Sequence, residues 1–257
     1  MCLLLLDWSK HEAFRLIVAA NRDEFHARPS ASAAWWDDHA MILGGRDLEA
    51  MGTWMAVNRY GHFAAVTNVR KITNGGSESR GKLAVDFLRA EKPDLTRYFA
   101  KLSDTADDFD GYNFIAFDGK NLGWFNNVEC RHKTLHAGIY GLSNASLDTE
   151  WPKVMRLKAG YANAVEDSDR LESYLFDLLQ DKTIAPDHAL PETGIGQELE
   201  RQLSPIFIEG HTYGTRCSTV YTLDKQGNAR FVERQFNAER TQISESREEF
   251  EIEVCAA

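Results

Sequence analysis

The sequence predicts an α+β fold built on largely antiparallel sheets. Strand-length apolar runs come first, helical periodicity is confined to the middle, and strand-like runs return at the end. Neighbouring strands are joined by short polar turns, and strands do not alternate with helices as a parallel sheet requires. No Pro- or Gly-rich linker interrupts the chain, so residues 1–257 are expected to form a single domain.

Cys2–Trp8 and Phe14–Asn21 read as two strands around the polar turn Ser9-Lys10-His11-Glu12. Both are continuous apolar runs, as expected for strands covered on two faces. Asp23–Ser32 reads as a loop broken by Pro29, and Trp35-Trp36 and Met41–Leu43 as short strands before Gly44-Gly45. Thr53–Asn58 and His62–Asn68 form a hairpin turned at Arg59-Tyr60-Gly61, and the Gly/Ser/Asn-rich Lys71–Ser79 segment is expected to be mobile. Arg80–Ala90 places Leu83, Phe87 and Leu88 on one helical face, and a second helix is expected from Asp94 to Leu102. Tyr112–Phe117 and Leu122–Asn126 pair around Asp118-Gly119-Lys120, followed by a short strand at Ile139–Ser143. Trp151–Ala162 and Asp167–Leu179 read as helices, the first with Pro152 near its start, where the missing N–H costs nothing. The polar stretch Thr183–Gln202 reads as a loop, and Thr219–Leu223, Arg230–Glu233 and Phe250–Val254 close the chain as strands.

Composition narrows the function. A net charge of -10 and a pI near 5.3 disfavour nonspecific binding to nucleic acid, because the long-range field repels phosphates. Cys2, Cys130, Cys217 and Cys255 are too widely spaced for a disulfide scaffold and fit free thiols in a reducing compartment. Leu3–Leu6 is too short for a signal peptide, and no run approaches the ~20 residues of a membrane helix. A cytoplasmic protein without a transmembrane segment is expected. Cys130, His132 and His136 do not match a zinc spacing, so no metal site is expected and they are assigned to a solvated loop.

The chemistry concentrates at the start. Cys2 follows the initiator Met1, whose removal would leave one residue with both a thiol and a free α-amine. Such an amine ionises near ~7.7–8.0, so it can take the proton of its own nucleophile. A small buried residue in an edge strand is the competing reading of Cys2. The second strand delivers Asn21-Arg22-Asp23-Glu24 beside Cys2 if the two runs pair as a hairpin. Asp23 can then hold the α-ammonium or orient the thiol, or it can pair with Arg22 to cap the strand. Asn68 and Asn144 also end apolar strands; each is a candidate oxyanion donor or a plain turn residue. Arg216, in Gly214-Thr215-Arg216-Cys217, can bind an anion, steady Cys2, or simply face solvent. Arg22, Arg28, Arg46, Arg70 and Arg80 lie in or beside polar loops and could cluster as an anion pocket. Trp35, Trp36 and Trp54 can line an apolar cleft or pack in the core.

These residues carry a resemblance. Met1-Cys2, Ala19-Ala20-Asn21-Arg22-Asp23-Glu24-Phe25 with Arg28-Pro29, Gly52-Thr53-Trp54 and Ala65-Val66-Thr67-Asn68 occur in order. Ser79-Arg80-Gly81-Lys82-Leu83, Tyr140-Gly141-Leu142-Ser143-Asn144-Ala145, Trp151-Pro152-Lys153 and Tyr213-Gly214-Thr215-Arg216 follow. In this order and spacing the chain resembles the NRDE family, also called the transport and Golgi organisation protein 2 family, nearly end to end.

The resemblance implies a four-layer αββα Ntn-hydrolase-like sandwich, remotely similar to cholylglycine hydrolases and penicillin V acylases. By that similarity Cys2 is the nucleophile, Asp23 its orienting acid, Asn68 and Asn144 oxyanion-region groups, and Arg216 the late arginine. The acylases carry an arginine three residues before the aspartate, where this chain has Ala20. The expected activity is cleavage of a linear amide in an anionic or acylated small molecule, with no cofactor required. Asn21, Arg22, Arg28, Trp54 and Arg80 are expected to bind that substrate. The alternative is a non-catalytic carrier of haem or another large anionic ligand such as acyl-CoA or a lipid. Family members are linked to secretory-pathway organisation, to lipid or coenzyme A metabolism and to haem trafficking. The sequence sets no oligomeric state.

Overall fold

In the computed structural model, residues 2–70, 76–162 and 170–253 are described. The continuous apolar runs form the middle of two antiparallel sheets. The first holds, in spatial order, β10 (Gly138–Leu142), β1 (Cys2–Trp8), β2 (Phe14–Phe25), β11 (Tyr213–Asp224), β12 (Asn228–Phe236) and β13 (Gln242–Glu251). The second runs from β3 (Ser30–Trp35) through β4 (Ile42–Asp47), β5 (Met55–Asn58), β6 (Phe63–Asn68), β7 (Tyr112–Phe117) and β8 (Leu122–Asn126) to β9 (Arg131–Leu135).

Side-chain alternation then dictates the layering. Leu4, Leu6 and Trp8 of β1 enter a core between the sheets, against Phe63, Phe117 and Tyr221. Leu3 and Leu5 point the other way, into a core with helices α3 (Pro152–Ala162) and α4 (Leu171–Leu179). On the far side, helices α1 (Gly81–Leu88) and α2 (Leu95–Asp104) bury Leu83, Phe87 and Phe99 against Val66, Phe114 and Phe125. The result is an αββα sandwich. Each of Leu3 to Leu6 is fully buried, worth about 1.5–3 kcal/mol apiece, so β1 has no polar face.

Several expected boundaries shift for identifiable reasons. The loop expected from Asp23 to Ser32 shrinks, because β2 continues to Phe25 by pairing Asp23, Glu24 and Phe25 with Thr215, Gly214 and Tyr213. β4 includes Gly44-Gly45, and a Cβ on Gly44 would lie 2.7 Å from that of Ala56 on β5. Arg131–Leu135 is an exposed edge strand paired with β8, where a solvated loop was expected for Cys130 to His136. The polar stretch before Gln202 holds a short helix, α5 (Gln197–Gln202). The last strand is Gln242–Glu251, too alternately polar to stand out as apolar. Asp94 caps α2, accepting from the Arg97 amide at 2.7 Å. Residues 71–75 of the segment expected to be mobile, residues 167–169 of the fourth expected helix, and Cys255 lie outside the described residues.

Candidate active site

The register of the first sheet brings distant residues side by side. Cys2 is opposite Arg22, and Arg22 is opposite Cys217. Directly opposed residues share a face, so a thiol, a guanidinium and a second thiol form a row looking into the gap between the sheets. Across the gap, β6 ends at Thr67 and Asn68, and α1 begins at Ser79-Arg80-Gly81. Gly52 lets that helix start approach: a Cβ there would come within 2.6 Å of the Gly81 carbonyl carbon. Together these elements enclose a cavity of about 350 Å³.

Cys2, Asp23, Asn68 and Arg216, expected to converge, all line this cavity. Asn144 does not. It stands behind Asn68, its Nδ2 donating to Asn68 Oδ1 at 2.8 Å and to the Asn68 carbonyl at 3.0 Å. Of the residues expected to bind substrate, Arg22, Arg28, Trp54 and Arg80 line the cavity. Asn21 lies on the opposite face of β2, fully buried under the helix layer. There its Nδ2 donates to the carbonyls of Leu179 and Ile206, at 2.8 and 2.9 Å. Alternation along the regular part of β2 turns Arg22 to the cavity and Asn21 to the helix layer, whereas Asp23 borders the cavity where the strand meets the irregularity between Thr215 and Cys217. Ala20 is fully buried in the inter-sheet core, and Arg22, two residues on, is the arginine of this strand that reaches the cavity.

Burial pushes the Cys2 thiol up to about 11, and the carboxylates of Asp23 and Glu24 act in the same direction. Asp23 is 1% exposed; its Oδ1 accepts from Thr215 Oγ1 at 2.7 Å and its carbonyl from Tyr213 Oη at 2.9 Å. Burial raises its pKa, and Lys153 is the strongest group opposing that rise. Lys153, on α3, is 2% exposed and donates from Nζ to the Leu203 carbonyl at 3.1 Å. Burial pulls it down to about 8, while Asp23 acts to hold its proton.

The arginines divide into two groups. Arg22 lies 3.7 Å from both Glu24 and Asp47, and Arg28 bonds Asp47 at 2.6 Å. Arg80 and Arg216 have no carboxylate partner among the described residues. Arg80 donates to the Gly111 carbonyl at 3.1 Å. Arg216 sits in a β-bulge of β11, and its Nη1 donates to the carbonyls of Phe25, His26 and Arg28 at 2.9, 3.2 and 3.1 Å. It thereby fixes the turn that carries Arg28. At the other end of the cavity, Glu233 is buried and accepts from the Ala33 amide at 2.9 Å.

Lys153, Thr215, Cys217 and Glu233 belong to the site but were given no part in it from the sequence. Lys153 was readable: Leu157 and Tyr161, four and eight residues on, mark its side of the helix as the buried one. Thr215 and Cys217 required the β2–β11 register, which joins residues about 190 positions apart. Glu233 carried no apolar signal at all.

The site is thus a cysteine at the end of a strand of an αββα sandwich, opening on an inter-sheet cavity. Solved structures agree on the fold. A Caenorhabditis elegans ortholog of N-acylethanolamine-hydrolyzing acid amidase superposes with a TM-score of 0.52 at 9% identity, over 85% of this chain and 92% of that one. A mutant conjugated bile acid hydrolase from Clostridium perfringens gives 0.52 at 9% identity, over 98% and 92%. The chain itself belongs to the Transport and Golgi organisation 2 family, whose profile matches residues 1–238. It is 34% identical over 256 residues to the mouse Transport and Golgi organization 2 homolog, covering 91% of this chain and 92% of the homolog. The Drosophila melanogaster Transport and Golgi organization protein 2 is 28% identical over 249 residues, covering 86% of each. Among the described residues, no helix is long and apolar enough to cross a membrane, and no cluster of three metal-ligating side chains occurs.

Proposed function

We propose that this protein is an N-terminal-nucleophile amide hydrolase acting on an anionic or acylated small molecule. The observation that carries the reading is the shared cavity of Cys2, Asp23 and Asn68 with several arginines. Removal of Met1 frees the α-amine of Cys2, which takes the thiol proton as sulfur attacks the amide carbonyl. The oxygen that becomes negative is met by the Asn68 amide. Collapse expels the amine, which leaves with the proton held by the α-amine. Water then attacks the thioester, releasing the acid and restoring the thiol. Burial disfavours a free thiolate at this position, so a base within reach of the sulfur is needed for attack. Arg80 and Arg216, which have no carboxylate partner among the described residues, give an anionic substrate its complement, with Arg22 and Arg28 beside them held by Glu24 and Asp47 and Trp54 covering apolar parts. One structural neighbour is named an acid amidase and the other a conjugated bile acid hydrolase, which favours hydrolysis as the reaction on this fold.

Intact mass of the purified protein, followed by trapping of an acylated Cys2 from a panel of N-acyl amides, tests the proposal. Loss of Met1 and a thioester adduct absent from Cys2→Ala are expected. Stable retention of Met1, or turnover unchanged in Cys2→Ala, overturns it.

The alternative reading, a haem carrier, requires an axial ligand. Among the described residues no histidine lines the cavity, and burial holds both of its thiols, Cys2 and Cys217, protonated. Tyr213, the remaining haem-ligand type on the lining, donates its hydroxyl to the Asp23 carbonyl at 2.9 Å, a bond haem ligation would break, so a haem titration without a spectral shift is the expected result.

A further inference from the structure

The geometry points to Asn144 as a positioning residue, which holds the amide of Asn68 with its NH2 group turned into the Cys2 cavity. This rests on the hydrolase reading for its purpose, though not for its geometry. A side-chain amide has an acceptor end and a donor end, and only one of them can face a given direction. The acceptor end of Asn68 is occupied, because Asn144 Nδ2 donates to its Oδ1 at 2.8 Å. Its Nδ2 has no hydrogen-bond partner among the described residues, while Asn68 itself lines the cavity. Were the amide reversed, two NH2 groups would face each other behind the cavity and an oxygen would face the nucleophile. That is the wrong polarity for a developing oxyanion.

Asn144 can act as this fixed point because it is itself held. It is 1% exposed; its Oδ1 lies 3.2 Å from Ser143 Oγ, whose single proton is shared with the Cys2 carbonyl, and its Nδ2 is aimed at Asn68. Its carbonyl accepts from the Arg70 amide at 2.7 Å. The preceding carbonyl, of Ser143, accepts from Thr67 Oγ1 at 2.8 Å, and Thr67 in turn accepts from Asn113 Nδ2 at 3.0 Å. Ser143 Oγ also lies 3.2 Å from the carbonyl of Cys2. The strand end carrying Asn144 is thus tied both to the nucleophile's own backbone and to β6, which carries Asn68. Its back wall opens on a second cavity, lined by Arg70, Asn126, Thr149 and Trp151 among others, and not on the cavity of Cys2. Asn144 therefore acts on the reaction through Asn68.

1,1,1-Trifluorooctan-2-one isotope-labelled at its carbonyl carbon provides the probe, since an aldehyde would condense with the thiol and α-amine of Cys2 together, lose its oxygen as water and close a thiazolidine. Addition of the Cys2 thiol to the ketone forms a carbon–sulfur bond and passes the thiol proton to the α-amine, leaving the former carbonyl oxygen where the oxyanion would sit. Adduct affinity is read by NMR in the wild type, Asn68→Ala, Asn144→Asp and the double variant. Asn144→Asp offers Asn68 an acceptor where it had a donor, and so draws the NH2 group back out of the cavity. Each single variant is expected to lose roughly 10²-fold in affinity, the scale of one oxyanion donor. The double variant is expected to lose no more than Asn68→Ala. Independent, multiplying losses would overturn the inference. A second measurement holds if a variant fails to fold or no adduct forms. In the wild type, through-space coupling should join the Asn68 NH2 protons to the Cys2 β-protons, and coupling to Asn144 alone would overturn the inference. A wild type that shows this coupling but forms no adduct counts against the hydrolase and leaves the role of Asn144 intact.

Discussion

Cys2 is the residue on which the site turns, and its environment sets a measurable property. At 6% exposure its thiol is pushed up to about 11, because removing a thiolate from water is unfavourable. In chain that still carries Met1, iodoacetamide should therefore modify Cys2 at neutral pH two to three orders of magnitude more slowly than an unperturbed thiol, which ionises near ~8.5. The rate should climb until about pH 11. Peptide mapping of the alkylated protein checks this, and fast modification at neutral pH would refute the buried setting. The raised value also has a stability sign. The unfolded thiol loses its proton first, so this contribution is complete below about pH 9 and is lost as pH rises toward 11.

Hairpins carry the next scale. The β5–β6 turn is closed by the Asn58 amide donating to the His62 carbonyl at 3.0 Å, by the His62 amide donating to Asn58 Oδ1 at 3.0 Å, and by Asn58 Nδ2 lying 3.1 Å from His62 Nδ1. Burial pulls His62 down to about 4, with Asp118 only partly opposing. Here the sign is reversed: the unfolded histidine gains its proton first. Stability from this residue is full above about pH 6.5 and is lost as pH falls toward 4, by on the order of 3 kcal/mol. Urea titrations at several pH values should show this loss, and His62→Gln should flatten it; an equally steep acid limb in that variant would remove His62 as the cause. This hairpin was legible in the sequence, because Gly61 and the flanking apolar runs announce it. The extension of β2 through Arg22-Asp23-Glu24-Phe25 was not. Local polarity there argues for a loop, and only pairing with the distant β11 turns it into strand. Asn144 shows the same limit at a finer grain: its strand end was readable, but whether it faced the nucleophile or stood behind Asn68 depends on the approach of β10 to β6.

Across the whole molecule, the layers are joined by a few buried charged groups as well as by the three apolar cores. Lys153 links the outer helix layer to the site strand: its Nζ is held by the Leu203 carbonyl and its charge offsets that of buried Asp23. Lys153→Met should cost roughly 1–3 kcal/mol, the scale for leaving a buried acceptor, here the Leu203 carbonyl, without its donor. Adding Asp23→Asn should return part of any further loss, since the carboxylate that Lys153 favours is then gone. Urea denaturation of the four proteins checks the coupling, and simple additivity would show that the two charges do not sense each other. The α+β class and the antiparallel pairing were legible from apolar run lengths and turn residues. The stacking of two sheets came from resemblance alone, because alternation along Leu3–Leu6 is invisible when every position is leucine.

That same strand bears on how the protein can be handled. The first residue of β1 is Cys2, and its side chain already borders the cavity. A peptide fused ahead of Cys2 would crowd the nucleophile and block its α-amine. Purification handles therefore belong at the other end, after Ala257. A handle at the front would act as a tethered plug, and a silent preparation of that kind would say nothing about the protein's chemistry.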